Sequence, residues 1–294
     1  MKKLKDILSL LRLPQWSKNV FVFLPLFFGG VFNDVKLLGQ TVLAALAFSL
    51  AASAVYCFND LVDRKRDALH PTKCKRPLAS GALSPATGGI LAALCAAGAV
   101  ILSFCCQSPC VLWWIVGYMA LNLLYSLVLK RVVIVDVLVL SSFYVMRIMT
   151  GGEACGVEVS QWLVIMTFLL ALFLALGKRR DDALIYRESK TVVRAVAQHY
   201  GVEFLNLALT MVATIAVVAY LIYTISPEVT TRFANRHVYC TAIFVIAGIL
   251  RYLQITLAGG KSGDPMRVLL KDRFTQVCVL LWVASFVCII YLLR

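Results

Sequence analysis

Long apolar runs separated by short charged segments make up most of this chain. A helix needs about 20 apolar residues to cross the hydrocarbon core of a bilayer, and the runs approach that length. They lie at 19–34, 37–58, 82–106, 110–129, 132–151, 160–177, 203–225, 237–257 and 274–293. The pattern therefore predicts an all-α polytopic membrane protein with about nine transmembrane helices, forming a single integral membrane domain over residues 1–294.

Lysine and arginine are distributed unevenly among the segments that join these runs. Short cytoplasmic loops of membrane proteins are enriched in both residues. Most of the 29 lysine and arginine residues lie on one side of the predicted membrane, in the N-terminal segment, 59–81, 130–131, 178–202 and 251–273. We therefore expect a protein of the cell (inner) membrane whose N-terminus and charged loops face the cytoplasm.

The composition agrees with a membrane environment and argues against other classes of protein. Hydrophobic residues make up 61% of the chain and charged residues 15%, against roughly 25% charged residues in an ordinary soluble domain. The formal net charge is +14, but the basic residues lie between apolar runs, which argues against a nucleic-acid partner. The ten cysteines lack the spacing of a zinc site or a disulfide framework.

Four polar residues follow the second apolar run: Asn59, Asp60, Asp63 and Asp67. On a helix that continues through them, their side chains share one face, because residues three or four apart are neighbours. Carboxylates this close repel one another unless a cation lies between them, and Mg²⁺ binds carboxylates together with phosphate oxygens. The spacing therefore indicates a Mg²⁺ and diphosphate site. The alternative is a solvated helix end whose aspartates pair with the basic residues 64–66.

A basic, proline-containing segment extends this motif. Residues 70–81 read His-Pro-Thr-Lys-Cys-Lys-Arg-Pro-Leu-Ala-Ser-Gly, which supplies cations and rigid turns. Residues 59–81 together resemble the signature of the UbiA-type membrane prenyltransferase superfamily, N-D-x-x-D-x-x-x-D followed by H-P-x-K-x-x-R-P. The resemblance implies nine transmembrane helices around a central cavity that opens laterally to lipid, with Mg²⁺ holding a diphosphate at the cytoplasmic end.

The segment after the sixth run differs from most members of that superfamily, which carry a second acidic motif, D-x-x-x-D, at this point. Residues 176–187 read Leu-Gly-Lys-Arg-Arg-Asp-Asp-Ala-Leu-Ile-Tyr-Arg, with adjacent acids and Tyr186 where a spaced aspartate is expected. Three consecutive cations are typical of a phosphate clamp. The start of this segment, together with residues 11–19 and 269–273, resembles the decaprenyl-phosphate phosphoribosyltransferase branch.

The branch resemblance implies a Mg²⁺-dependent glycosyltransferase that moves 5-phosphoribosyl from phosphoribosyl diphosphate to a polyprenyl phosphate and releases diphosphate. Two alternatives stay open: an aromatic prenyltransferase of quinone or haem biosynthesis on the same fold, and a non-enzymatic lipid or ion transporter. The absence of the second acidic motif argues against the first alternative. The clustering of acids at one membrane face argues against the second. The sequence determines neither the lipid chain length nor the oligomeric state, and a homo-oligomer stays among the alternatives.

The proposed reaction assigns roles to the acidic residues. Asn59, Asp63 and Asp67 are the expected Mg²⁺ ligands, and the metal would neutralise charge on the departing diphosphate. Asp63, Asp67 and Asp60 are the expected catalytic residues, with Asp60 binding either ribose hydroxyls or a second ion.

The substrate-binding residues are expected near the cytoplasmic boundary, because the donor and the lipid together present several phosphate groups. They are Lys18, Asn59, Lys73, Arg76, Tyr125, Lys130, Asp136, Lys178, Arg179 and Arg180. The enrichment of cations in cytoplasmic loops would supply many of these residues in any membrane protein, and Asp136 could simply pair with Lys130 or Arg131. Arg147 is expected to bind backbone carbonyls or to extend outward from its span.

Overall fold

The computed structural model describes residues 2–69, 73–189, 199–232, 237–258, 268 and 271–292. Within these residues the regular structure is helical. The α-helices are α1 (Lys2–Leu11), α2 (Leu24–Phe28), α3 (Val35–Val62), α4 (Arg64–Ala68), α5 (Pro85–Phe104), α6 (Cys110–Leu127), α7 (Val135–Cys155), α8 (Gln161–Ser189), α9 (Val202–Ile225), α10 (Pro227–Arg232), α11 (Ala242–Ala258) and α12 (Arg273–Val287). A 3-10 segment, Leu13–Phe23, joins α1 to α2.

Eight helices among the described residues are long and apolar enough to cross a membrane by length and composition. They cover eight of the nine predicted runs and confirm the all-α membrane architecture. The remaining run, at 19–34, forms the end of the 3-10 segment and the short helix α2 instead of one long helix. Proline and glycine explain the break, since Pro25 lies in the first turn of α2 and Gly30 takes a positive φ of 72° just after it.

Two helices extend further than the hydrophobic pattern predicts. Helix α3 continues to Val62 and so carries Asn59 and Asp60. Helix α8 continues to Ser189, so the basic residues after position 177 belong to the helix, and the predicted loop 178–202 does not begin there. Helical hydrogen bonds do not require apolar side chains, which is why the apolar run alone gives the wrong end.

The chain forms two compact units. Unit 1 comprises Met1–Val128 and Met146–Val159. Its central helix is α3, whose buried face is rich in alanine and packs along α5, α6 and the 3-10 segment. Small residues let helix backbones approach closely in a membrane protein. Arg147 is buried in this unit with 4% of its surface exposed, so the prediction that it extends outward is wrong.

Unit 2 comprises Leu129–Val145 and Ser160–Arg294. Helix α8 packs on α9, and α11 packs on both α9 and α12. The buried core of the unit includes Val137, Phe173, Leu205, Leu209 and Tyr252. The prediction of a single domain over the whole chain stays a prediction.

Within unit 1, α7 packs tightly on the 3-10 segment at Gly151. A Cβ added to Gly151 would overlap the carbonyl oxygen of Val22 and would lie 2.8 Å from its carbonyl carbon. We therefore expect Gly151→Ala to lower the free energy of unfolding by about 1–3 kcal/mol, because backbone has to move to relieve the clash. Thermal unfolding in detergent measures this effect. Gly39→Ala is the control, since a Cβ there meets nothing within 4 Å, and equal melting temperatures for the two variants would contradict the prediction.

Candidate functional site

The aspartate motif lies at the C-terminal end of α3. The helix ends at Val62, Asp63 forms its C-cap, and α4 begins at the next residue. The prediction of one continuous helix is therefore wrong at Asp63, whose φ and ψ of −84° and −1° interrupt regular geometry. The backbone N–H of Asp63 still donates to Asn59 O at 2.9 Å, and that of Asp67 to Asp63 O at 2.8 Å, so successive turns keep the motif compact.

Two of the aspartates are joined by one arginine from the segment that follows. Arg76 Nη1 lies 3.0 Å from Asp60 Oδ1 and 2.6 Å from Asp67 Oδ2. Arg12 Nη2 lies 2.6 Å from the same oxygen of Asp60. The side chains of Asp60 and Asp67 are only 4% and 3% exposed. Buried carboxylates require a positive partner, and these two obtain it from distant arginines instead of from residues 64–66.

Asp63 differs from the other two acids. Its carboxylate lies 3.0 Å from Arg66 Nη2, as the alternative of local pairing predicts, and the two side chains are 20% and 58% exposed. An ion pair this open to solvent contributes little to stability. Asp63 is therefore the more accessible carboxylate of the motif.

A hydrophobic cluster anchors both segments that carry the arginines. It contains Leu10, Cys57, Leu78 and Leu83, each at most 2% exposed. Leu10 lies two residues before Arg12, and Leu78 two residues after Arg76. The cluster therefore holds both guanidiniums near the end of α3. The predicted motif residues His70, Pro71 and Thr72 lie outside the described residues.

The donor atoms of the motif fit a hard divalent cation. Asn59 Oδ1 is buried and has no hydrogen-bond partner among the described residues, and an unsatisfied buried acceptor costs about 1–3 kcal/mol. Carboxylate and amide oxygens are the protein ligands that Mg²⁺ prefers. The part of the chain that the structure describes contains no preformed group of three His, Cys, Asp or Glu ligands. One carboxylate oxygen of Asp60 and one of Asp67 contact arginine. The fit therefore rests on Asn59 together with Asp63 and Asp67.

The other predicted site residues of unit 1 lie on three different segments. Lys18 belongs to the 3-10 segment, Lys73 begins a short 3-10 turn, and Tyr125 lies in the last turn of α6. All three side chains are intermediate in exposure. Their contact with substrate stays a prediction.

The predicted residues of unit 2 form a second buried group. Arg179 Nε donates to Asp136 Oδ2 at 2.5 Å, and Arg179 Nη1 donates to Asp182 Oδ2 at 3.3 Å. Tyr200 donates its hydroxyl hydrogen to Asp136 Oδ1 at 2.7 Å. Asp136 thus pairs with Arg179 of α8, which lies further along the chain than the Lys130 and Arg131 named as alternatives.

The three consecutive cations of α8 do not share one environment. Arg179 is 1% exposed and is held by the acids just described, while Arg180 is 5% exposed and donates from Nε to Asn206 Oδ1 at 2.6 Å. Lys178 is intermediate in exposure, as is Lys130 in the turn before α7. The clamp predicted from adjacent charges is therefore distributed around a helix, and the contact of each residue with phosphate stays a prediction.

Tyr200 connects Asp136 to a strained backbone position. Its hydroxyl oxygen accepts a hydrogen bond from Ile134 N at 2.7 Å, and Ile134 takes a positive φ of 70°, which is unfavourable for a β-branched residue. Burial and the bond to Asp136 raise the pKa of Tyr200 well above its usual value. The hydroxyl therefore stays protonated and remains a donor to the carboxylate.

We expect Tyr200→Phe to lower the free energy of unfolding by about 1–3 kcal/mol, because it leaves a buried carboxylate oxygen and a backbone N–H with one partner fewer. Thermal unfolding in detergent measures the change. Tyr239→Phe is the control, since Tyr239 is 52% exposed. A melting temperature for Tyr200→Phe that equals that of the control would contradict the assigned role.

Arg12 is the site residue that sequence reasoning missed. It lies in the segment 11–19 that resembles the phosphoribosyltransferase branch, but its partner Asp60 is 48 residues away. Its guanidinium also lies 4.6 Å from the centre of the Tyr56 ring. The resemblance of residues 11–19 to the phosphoribosyltransferase branch pointed to this segment, but it did not indicate that Arg12 binds Asp60.

Comparison with known proteins places this architecture in a family. The UbiA prenyltransferase family matches residues 20–194. A decaprenyl-phosphate phosphoribosyltransferase of Corynebacterium glutamicum is 32% identical over 99% of this chain and 89% of its own length. A protein of the same name from Mycobacterium tuberculosis is 31% identical over 95% of this chain and 92% of its own length.

The solved structure of a UbiA homolog from Archaeoglobus fulgidus bound to DMAPP and Mg²⁺ is similar in fold. It superposes with a TM-score of 0.69 and 19% identity, covering 97% of this chain and 99% of that one. The apolar helices, the aspartate motif and the similarity over nearly the whole length agree with one another. This integral membrane protein therefore belongs to the UbiA prenyltransferase family.

Proposed function

We propose that this protein transfers the 5-phosphoribosyl group of phosphoribosyl diphosphate to a polyprenyl phosphate. The bond between the anomeric carbon and the diphosphate oxygen breaks, and a bond from that carbon to a phosphate oxygen of the lipid forms. The observation that carries the proposal is the near full-length similarity to two relatives that bear the name of this activity. The divergent segment 176–187 supports it, because it lacks the spaced acids expected of an aromatic prenyltransferase.

The end of α3 suits a diphosphate leaving group. Asn59, Asp63 and Asp67 are the residues that would hold Mg²⁺, which when bound neutralises charge on the leaving group. Arg12 and Arg76 add two guanidiniums, which bind phosphate oxygens in a fixed fork geometry. Both contact the same oxygen of Asp60. We therefore assign Asp60 to orienting these arginines, in place of the earlier expectation that it binds ribose or a second ion.

The remaining phosphates require further cations. The proposed phosphate-binding residues are Lys18 and Lys73 in unit 1 and Lys130, Lys178 and Arg180 in unit 2, with Tyr125 as an additional hydrogen-bond donor in unit 1. Asp136 and Arg179 neutralise each other within unit 2, and we assign them to holding the basic stretch of α8 in place. A phosphate monoester is already anionic at neutral pH, so the acceptor needs no strong general base.

The active site is proposed to face the cytoplasm, with the N-terminus on the same side. The support is the enrichment of lysine and arginine in segments that alternate correctly around the predicted spans. The end of α3 lies in one of these segments. A phosphorylated sugar donor is a soluble anion, so a site at the membrane boundary gives it access while the lipid acceptor stays in the bilayer.

The proposal is tested with the purified protein, Mg²⁺ and phosphoribosyl diphosphate labelled in the ribose. We expect label to move into the lipid fraction only when decaprenyl phosphate is present, and addition of EDTA to stop it. A parallel reaction contains 4-hydroxybenzoate and a polyprenyl diphosphate. Prenylation of the aromatic ring without labelled lipid would replace this proposal with the aromatic prenyltransferase alternative.

A further inference from the structure

A stripe of polar side chains runs along one face of α3. Ser49, Ser53, Tyr56 and Asp60 are spaced by four, three and four residues, so they share a face of the helix. Each of them contacts residues between Leu11 and Asn19. The proposed chemistry uses only the end of this stripe, at Asp60. The rest of it has no role in the reaction as described so far.

The middle of the stripe fixes the 3-10 segment against α3. Asn19 Nδ2 donates to Ser49 Oγ at 2.6 Å, and Trp16 Nε1 donates to Ser53 Oγ at 3.0 Å. Ser53 Oγ in turn donates to Leu11 O at 2.8 Å. Asn19, Ser49 and Ser53 are at most 4% exposed. A shift of the segment along α3 would leave these polar groups without partners in a membrane interior, so the contacts set one register.

Arg12 lies at the end of this register in a strained conformation. Its φ and ψ of 54° and 46° are left-handed, which an L residue adopts only where the surrounding structure over-determines it. The carbonyl of Leu11 is held by Ser53 on one side, and the guanidinium is held by Asp60 on the other. The position of Arg12 therefore depends on the attachment of the segment that follows it.

Arg147 holds the same segment at Asn19, seven residues beyond Arg12. Its Nε donates to Asn19 Oδ1 at 2.9 Å, and its guanidinium lies 4.9 Å from the centre of the Phe48 ring. An ionisable side chain inside a membrane span is costly and therefore a candidate for function. A 3-10 helix rises about 2.0 Å per residue, so the seven residues from Arg12 to Asn19 span about 14 Å. An effect of Arg147 on the site at Asp60 through Asn19 would therefore pass along the 3-10 segment.

We propose that Asn19 and Arg147 are positioning residues, which hold the 3-10 segment in the register that places Arg12 on Asp60 and on the diphosphate of the donor. The proposal rests on the proposed function for the identity of that ligand. Removing the attachment at Asn19 should allow the segment to shift, and Arg12 should then leave its strained conformation. We expect this shift to weaken the binding of diphosphate. The weakening should be large only when Arg12 is present.

A double-mutant cycle on the full-length protein in detergent tests this dependence. The probe is inorganic diphosphate with Mg²⁺, and its Kd is measured by titration calorimetry. We expect Asn19→Leu to raise the Kd about tenfold in the wild-type background and less than about twofold in the Arg12→Gln background. Asn19→Asp, which keeps an oxygen for Arg147, should restore most of the affinity. A purely structural role would lower the melting temperature equally in both backgrounds without this difference in Kd.

A milder pair of variants covers the case in which Asn19→Leu does not fold. Ser53→Ala removes one attachment of the segment, and we expect it to raise the Kd about threefold. Ser103→Ala is the matched control, because Ser103 is 1% exposed and its hydroxyl donates to Ala99 O of its own helix. Equal Kd values for these two serine variants, or an Asn19 effect of the same size in both backgrounds, would overturn the proposal.

The outcome for the positioning residues is separable from the outcome for the proposed function. Binding of inorganic diphosphate requires neither ribose nor lipid. A protein that shows the expected cycle but transfers no phosphoribosyl group would retain the positioning role and lose the proposed reaction. A wild-type protein that does not bind diphosphate with Mg²⁺ would overturn both.

Discussion

Replacing Asp63 with asparagine is expected to reduce phosphoribosyl transfer by about 10²–10³-fold, the effect of removing one group that stabilises charge in a transition state. Asp63 is the most accessible carboxylate of the motif, and its side chain is 20% exposed. The substitution keeps the shape of the side chain but removes the charge that attracts a divalent cation. Turnover is measured over a range of Mg²⁺ concentrations, and the concentration needed for half-maximal rate should rise.

The fold should tolerate this change, because the ion pair that is lost is open to solvent. Arg66, its partner at 3.0 Å, is 58% exposed, and exposed pairs contribute about 0–1 kcal/mol. Arg66→Gln is therefore the matched control, since it breaks the same pair and keeps the carboxylate. We expect it to retain most of the activity. Unchanged turnover and unchanged Mg²⁺ dependence in Asp63→Asn would remove the basis of the proposed metal site.

The sequence predicts the parts of this molecule that depend on local pattern. Apolar runs of membrane-spanning length locate eight of the long helices, and the spacing of Asn59, Asp60, Asp63 and Asp67 locates the acidic motif at the end of α3. Both signals lie within a few helical turns. Where a local rule has an exception, as at Pro25 and Gly30 in the first predicted span, the predicted long helix is replaced by a 3-10 segment followed by the short helix α2.

The choice of ion-pair partners was not predictable in the same way. Local spacing favours Arg64, Lys65 and Arg66 for the aspartates, yet Asp60 pairs with Arg12 and Arg76. Asp136 pairs with Arg179 and Tyr200, which lie 43 and 64 residues further along the chain. These pairings depend on which helices pack together, and on burial that excludes water. The charge pattern of one segment carries no information about which helices pack together or which side chains are buried.

The second large effect is expected at Arg76, whose guanidinium is shared by two buried carboxylates. Arg76→Gln leaves Asp67 without the cation that lies 2.6 Å from it and leaves Asp60 with Arg12. Removing one partner of a buried ion pair typically costs about 3–5 kcal/mol, since the remaining charge has lost its solvation. We therefore expect a large fall in melting temperature in detergent containing EDTA. Diphosphate binding should be lost with it.

The cause of that instability can be separated from a general packing defect. If the uncompensated carboxylate is responsible, the double variant Arg76→Gln/Asp67→Asn should recover much of the lost stability, because both groups of the pair are then neutral. Its activity should stay low, since neither the guanidinium nor the carboxylate is restored. Mg²⁺ should raise the melting temperature of Arg76→Gln more than that of the wild type, because a cation bound only by the folded protein stabilises it. A double variant whose stability loss equals the sum of the two single losses would show that Arg76 acts through packing instead of charge.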